Sequence, residues 1–282
     1  MIGAATAATL TSTRNPRVQA ARGLRRARER RATGRHLVEG PRAVAEALAA
    51  GVVEELYLDE DVDAAAVLPR AVPGAVMVQP VTPAVLGHLA DATTPQGVVA
   101  VARTPATGLA DIGDGVVVAL DQVSDPGNAG TILRTADALG AAGVVLTRGS
   151  VDVYAPKAVR SAVGSTYHLP VVTGIAAQEL AAFARDTGRS LLGLDAHAAD
   201  GLTALAAAGG RAVLVLGNEA HGLDPATSAL LDGHVAIALH PRAESLNVAA
   251  AAAIAIHAAV YPARPDSGPA ARSPTADQEG AP

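Results

Sequence analysis

The chain has no cysteine, which leaves no disulfide framework and no thiolate metal site. Aromatic residues are almost as scarce, with four Tyr, one Phe and no Trp, so stacking on nucleic-acid bases is not an obvious recognition mode. Lys157 is the only lysine. No apolar run reaches the length of a bilayer span: Val248 to Val260 comes nearest and contains His257, which reads as a buried helix. The N-terminus holds no apolar core long enough for a signal peptide, and a cytoplasmic protein is expected. The eight histidines show neither HExxH nor HxH spacing, so no metal site is expected. A GxSxG elbow, a GxGxxG fingerprint and a P-loop are also missing.

What is present is ordinary globular material: 282 residues, half of them hydrophobic, enough for two modest domains. A net charge of −5 argues against indiscriminate nucleic-acid binding, but ten of the 22 basic residues fall between Arg14 and Arg42. That segment reads either as a solvated amphipathic helix or as a phosphate-contacting patch.

The organising stretch is Leu120 to Leu146, LDQVSDPGNAGTILRTADALGAAGVVL. Val116 to Leu120 is a buried, β-branched strand, Ser124 to Asn128 a cluster of turn formers, and Ile132, Ala136 and Leu139 recur at helical spacing. Gly140 and Gly143 stop the helix and Val144 to Leu146 begins the next strand. In an open α/β sheet ligands bind beyond the carboxyl ends of strands, which brings Asn128 and Arg134 forward. Asn128 is equally a candidate helix cap, and Arg134, on the first or second turn, a candidate surface partner of Asp137.

Before this unit, Val18 to Arg31 predicts an Arg-rich helix ending near Gly34. His36 to Glu39, Val53 to Leu58, Val76 to Gln79 and Val98 to Val101 predict strands, with helices over Pro41 to Ala50 and Pro83 to Leu89. After it, Asp152 to Gly164 predicts a helix whose Lys157 and Arg160 either hold phosphate or form a solvated face. Strands follow at His168 to Val172, Leu191 to Leu194, Arg211 to Leu216 and Val235 to Leu239, with a helix at Glu179 to Thr187. Ser245 is placed to cap a nearly all-apolar helix from Leu246, which should be buried against its own sheet and a second subunit. The division expected is residues 1–103, an α/β domain beginning with a loose leader over Met1 to Leu10; 104–115, a linker; 116–262, a second α/β domain; and 263–282, a disordered tail.

Three strands thus end in polar punctuation: Asn128 with Arg134, Gly217-Asn218-Glu219 with Gly222, and Glu244-Ser245 with Asn247. Singly, each has a plain explanation as turn or cap chemistry; together they point to one pocket at the carboxyl edge of the sheet.

NAGTILRTADALGA, LVLGNEAHGL and AESLNVAAAAAI, in that order, resemble the three motifs of the SpoU-like or TrmH-like RNA ribose 2′-O-methyltransferases of the SPOUT superfamily. TSTRNPRVQAARGL and RHLVEGPRAVAEAL resemble that family's N-terminal RNA substrate-binding domain, similar to ribosomal protein L30e. The resemblance implies a C-terminal parallel sheet tied into a deep trefoil knot, and a homodimer packed through the C-terminal helix. It implies S-adenosylmethionine at Leu194, Gly217, Ile237, Leu239 and Leu246, and RNA contacts at Arg14, Asn15, Arg22, Lys157 and Arg160. Arg134 matches the family's catalytic arginine; a guanidinium holds its proton too tightly to be an easy base, and gripping the neighbouring phosphate is a second role for it. Asn128, Glu219, Ser245 and Asn247 match the other polar motif positions. Where relatives have Ile-Pro-Met followed by Gly, this chain has Ile237-Ala238-Leu239-His240-Pro241, so the backbone near the cofactor should differ. The competing readings are an RNA-binding protein that keeps the fold without catalysis, and a dinucleotide enzyme, which the missing fingerprint weakens.

Overall fold

The structure, a computed structural model, describes residues 8–68 and 72–262. Most of the expected leader and the whole expected tail lie outside the described residues.

The N-terminal part runs α1 (Pro16–Gly23), α2 (Ala27–Thr33), β1 (Arg35–Glu39), α3 (Pro41–Ala49), β2 (Val53–Asp59), α4 (Ala64–Val67), β3 (Met77–Val81), α5 (Pro83–Leu89) and β4 (Val98–Arg103). Its four strands lie in the order β1-β4-β2-β3, and only β2 and β3 are parallel. Strand side chains alternate between faces, so Val38, Leu56 and Ala100 pack with α3 while Leu37, Tyr57 and Val99 pack with α1 and α5.

The C-terminal part runs β5 (Val117–Leu120), α6 (Pro126–Ala138), β6 (Gly143–Thr147), α7 (Pro156–Ala162), β7 (Val171–Ile175), α8 (Ala177–Asp186), β8 (Ser190–Leu194), β9 (Asp200–Gly201), α9 (Thr203–Ala207), β10 (Ala212–Leu216), α10 (Pro225–Ser228), β11 (Gly233–Ala236) and α11 (Val248–Val260). The strands form one parallel sheet in the order β7-β6-β5-β10-β8-β11-β9. Its central strands are buried on both faces, as their continuous Val and Leu runs require. Val118, Leu120, Leu146 and Leu214 meet α6 and α11, while Val117, Val145 and Val213 meet α8.

Four expectations change. The Arg-rich segment is two helices, because the chain turns at Leu24 to Arg26 after Gly23, a poor helix former. The buried Arg30 guanidinium takes up the Leu24 and Arg25 carbonyls that the turn exposes, at 2.9 and 2.8 Å. The helix expected from Asp152 begins only at Pro156. The strand expected at His168 begins at Val171, since Ser165–Tyr167 forms a 3₁₀ turn instead. β11 stops at Ala236, so Ile237 and Leu239 leave the ladder.

The two sheets are joined through α7. Gly130 lets α6 and α7 approach so closely that a Cβ there would overlap the Ala158 carbonyl and the Ser161 side chain. Across the junction Arg30 pairs with Asp152 at 2.7 Å and Arg160 with Asp91 at 2.8 Å. His36 Nε2 lies 2.7 Å from the Tyr167 hydroxyl, and burial pulls the His36 imidazole down to about 3.

Candidate active site

α6 begins at Pro126, and Asp125 caps it: Oδ1 accepts from the Asn128 N–H at 2.8 Å. Oδ2 meets Lys157 Nζ at 2.7 Å, and these contacts, Lys157 foremost, hold the Asp125 carboxyl below its ordinary range. Asn128 is therefore not the cap, and its side chain is free to face the strand ends. Because the helix starts this early, Arg134 stands on its third turn rather than its first or second.

The second polar strand end reaches Asn128 directly. Asn128 Nδ2 donates to Glu219 Oε1 at 2.9 Å, while the Ser124 N–H and hydroxyl donate to Oε2 at 3.2 and 3.1 Å. The Asp125 N–H adds a further donor at 3.3 Å. Burial works to raise the Glu219 carboxyl, but the Asn128 amide and the surrounding backbone donors outweigh it and hold the group below its ordinary range. The third strand end completes the chain of contacts: Asn247 Nδ2 donates to Asn128 Oδ1 at 3.2 Å, and Asn247 Oδ1 accepts from the Ala249 N–H at 2.9 Å. Asn247, not Ser245, is thus the cap of α11, which starts at Val248. Both residue types cap helices equally well, and only the path of the chain chooses between them.

Beside this network lies a cavity of about 780 Å³, within the usual range for a small-molecule site. Leu194, Gly217, Ile237, Leu239 and Leu246 all line it, together with Glu219, Ser245 and Asn247. The apolar groups come from the ends of three neighbouring strands, and polar groups cluster at one side. Gly217 packs on the backbone of Gly222, where any side chain would collide, and this folds the Asn218–Leu223 segment tightly along the cavity wall. Aliphatic side chains with exposed backbone and a few hydrogen-bonding groups fit a nucleoside carrying a short polar chain. Among the described residues no group of three His, Asp or Glu side chains could hold a metal ion, and no helix is long and apolar enough to cross a membrane.

Arg134 is not in the cavity wall. It is exposed on a groove of about 690 Å³ between α6 and α11, lined by Thr131, Thr135, Leu139, Ile254 and His257. Asp137 does not pair with it; its Oδ2 accepts from His168 Nδ1 at 2.8 Å. The face of α11 toward α6 and α9 is buried, whereas Ile254 remains 42% exposed, so the full burial expected of this helix is not reached within one chain.

The five residues assigned to RNA are spread out. Arg14 is exposed; Asn15 caps α1 through the Arg17 N–H; and Arg22 is half-buried with its guanidinium on the His88 carbonyl. Lys157 and Arg160 are engaged by Asp125 and Asp91. Sequence reasoning also missed Asp121, which is 1% exposed and ties the end of β5 to the loop after β10. An Asp just past a strand reads as turn chemistry, so only its burial reveals it.

Comparison with known proteins agrees with this geometry. The SpoU rRNA methylase family matches residues 115–257, and the MRM3-like substrate binding domain matches residues 15–100. The chain is 32% identical over 261 residues to the 23S rRNA (guanosine(2553)-2′-O)-methyltransferase RlmP of Bacillus subtilis, covering 88% of this chain and 97% of that protein. It is similar in structure to the SpoU methyltransferase AviRb of Streptomyces viridochromogenes in complex with AdoMet, with a TM-score of 0.76, 32% identity, and 88% and 97% of the two chains covered. An AdoMet-bound rRNA methyltransferase from Sinorhizobium meliloti gives a TM-score of 0.79 at 29% identity, covering 89% and 97%. Fold, cavity and relatives together define the class, that of the S-adenosylmethionine-dependent RNA methyltransferases. Within it, the chain belongs to the SpoU rRNA methylase family.

Proposed function

We propose that the chain methylates a ribose 2′-hydroxyl in ribosomal RNA. S-adenosylmethionine binds at Leu194, Gly217, Ile237, Leu239 and Leu246, and residues 1–103 act as an L30e-like RNA-presenting domain joined by 104–115 to a catalytic domain over 116–262. The observation that carries this reading is the Glu219–Asn128–Asn247 network at the cavity, which gathers all three polar strand ends into one hydrogen-bonded unit. Such a unit fixes polar side chains beside the cavity, which suits a reaction that must hold a hydroxyl in line with a methyl group.

The bound cofactor supplies a sulfonium methyl group; the ribose oxygen forms the new O–CH₃ bond as the S–CH₃ bond breaks, its electron pair staying on sulfur. Asn128 and Asn247 orient the ribose, Glu219 holds Asn128 in place, and Ser245 adds a hydroxyl at the cavity wall. Arg134 grips the phosphate next to the target and stabilises the developing alkoxide, while the proton leaves to that phosphate or to water. The exposed arginines of α1 and α2, with Arg14, contact the RNA backbone, and Lys157 and Arg160 exchange their carboxylate partners for phosphate. In this reading a second copy of the chain packs on the exposed face of α11 at Ile254, leaving Arg134 on the α6 side of the groove open to RNA, and makes a homodimer in the cytoplasm. A C-terminal segment tied into a trefoil knot belongs to the same reading.

The test is transfer of labelled methyl from S-adenosylmethionine to unmodified ribosomal RNA, tRNA and assembled ribosomal subunits, followed by mapping of the labelled ribose. Transfer to one ribose of ribosomal RNA is expected, in an exposed loop where bases can be read. Failure on all three substrates by folded protein would favour the RNA-binding alternative.

A further inference from the structure

We propose that Asp121, with Gln122 beside it, is a positioning residue that sets the Gly217–Ser228 loop against β5 and so places Glu219 and one wall of the cavity. This rests on the methyltransferase reading above. The first residue past β5, Asp121, extends the sheet by one bond, its N–H donating to the Leu216 carbonyl at 2.8 Å. Its carboxyl is turned inward. Oδ1 accepts from the Thr147 hydroxyl at 2.8 Å and the Thr227 hydroxyl at 3.1 Å, and Oδ2 accepts from the Asp224 N–H at 2.9 Å. Both threonines are buried as well. These donors come from β6 and from the far end of the loop after β10, so one side chain joins segments about a hundred residues apart in sequence.

Gln122 pins the same loop at a second point. Its backbone is left-handed at φ 55°, a conformation a residue with a side chain adopts at some cost. That turn aims its carbonyl at Asn218 Nδ2, 2.8 Å away, and its side-chain amide at Asp224 Oδ2, also 2.8 Å away. Asn218 in turn accepts from the Ala220 and His221 N–H groups and pairs by backbone with Gly222. Glu219 therefore sits between two fixed points, Asn218 and Asp224, both referred to the end of β5. Neither Asp121 nor Gln122 lines the cavity, so each acts through the loop. A buried carboxyl stabilises a fold no more than a well-packed apolar residue would; what it adds is direction, since three donors must converge on it.

The test uses the full chain as wild type, Thr227→Val, Thr227→Ser and Asp121→Asn, with two readouts. Amide hydrogen exchange of the protein alone reads the loop, and steady-state methyl transfer at varied S-adenosylmethionine reads kcat and KM. Removing one buried donor should speed exchange over residues 218–224 about tenfold in Thr227→Val and lower kcat/KM by a similar factor. Exchange in β10 should be unchanged, and Thr227→Ser, which keeps the hydroxyl, should restore both values. Asp121→Asn, which can keep its bond from the Asp224 N–H only by presenting its NH2 to the two threonine hydroxyls that now donate, should do more; if it does not fold, the Thr227 pair decides. Unchanged loop exchange, equal loss of protection in β10, no rescue by serine, or faster exchange with unaltered kcat and KM would each overturn the proposal. Exchange needs no substrate, so a wild type inactive on every RNA would sink the function while leaving the loop result standing.

Discussion

Past the ends of β5, β10 and β11, the polar groups of Asn128, Glu219 and Asn247 find their partners within the chain, and α6 and α11 are capped. About 9 Å further along α6, at six residues of 1.5 Å rise each, Arg134 stands exposed on an apolar groove, and among the described residues its guanidinium has no ion pair. The first region is complete as it stands; the second has an apolar wall, Leu139 and Ile254, beside a charge that answers nothing in its own chain. The difference separates two tasks. Holding a cofactor needs a finished pocket, whereas gripping RNA phosphate needs a cation left free to meet it.

The largest effect expected from breaking the finished region comes from Glu219→Gln. An amide there faces the Ser124, Asp125 and Asn128 donors with a donor of its own, and methyl transfer should fall about tenfold to a hundredfold. Steady-state kinetics on the identified RNA would check it. The same carboxyl gives a pH dependence with a definite sign. Its folded value is depressed, so its stabilisation is present above the unfolded value of about 4.3 and is lost as pH falls through the folded one. The acid limb of a stability profile should accordingly shift between wild type and Glu219→Gln.

In the open region, Ile254→Asp sharpens the comparison. A charge on the exposed face of α11 should turn the proposed dimer to monomer in analytical ultracentrifugation, while leaving S-adenosylmethionine affinity within about twofold, because Ile254 does not line the cavity. A dimer that persists would place the interface elsewhere.

The smallest effect lies at His168, where the imidazole meets Asp137 of α6 at 2.8 Å and Glu46 of α3 at 3.2 Å. The bond to Asp137, then that to Glu46, outweighs burial and raises the His168 imidazole above its ordinary value. This contribution is full below the unfolded value of about 6.5 and is lost as pH rises through the folded one. His168→Gln should cost less than about 1 kcal/mol, being partly exposed, and the difference in Tm from wild type should shrink as pH rises.

How far these features could be read without coordinates depends on what each one needs. The β5–α6–β6 unit was legible because a β-branched run, a turn cluster and a 3.6-residue period are local signals, and the strands of the N-terminal sheet were legible for the same reason. Family motifs brought forward the five cavity residues with Glu219, Ser245 and Asn247, and the structure sets all of these around one space, with Asn128 hydrogen-bonded to two of them. Misplaced features depended on contacts distant in sequence. The break in the Arg-rich helix starts at Gly23, but the Arg30 guanidinium that takes up the freed carbonyls is held there by Asp152, 122 residues away. Ser245 and Asn247 carry equal capping signals, and the approach of α11 to Asn128 selects one. Asp121 looks like a turn former until Thr227 and Asp224 are seen to surround it.

The most direct test of the proposed division, with the cavity holding the cofactor and Arg134 on the α6–α11 groove meeting the RNA, is one variant, Arg134→Ala, measured twice. Calorimetry with S-adenosylmethionine should give the wild-type affinity, and labelled methyl transfer to the RNA substrate should drop by a hundredfold or more, on the order of the loss when one such charge-stabilising group is removed. Transfer near the wild-type rate, or a loss of cofactor binding that accounts for the whole defect, would contradict the account.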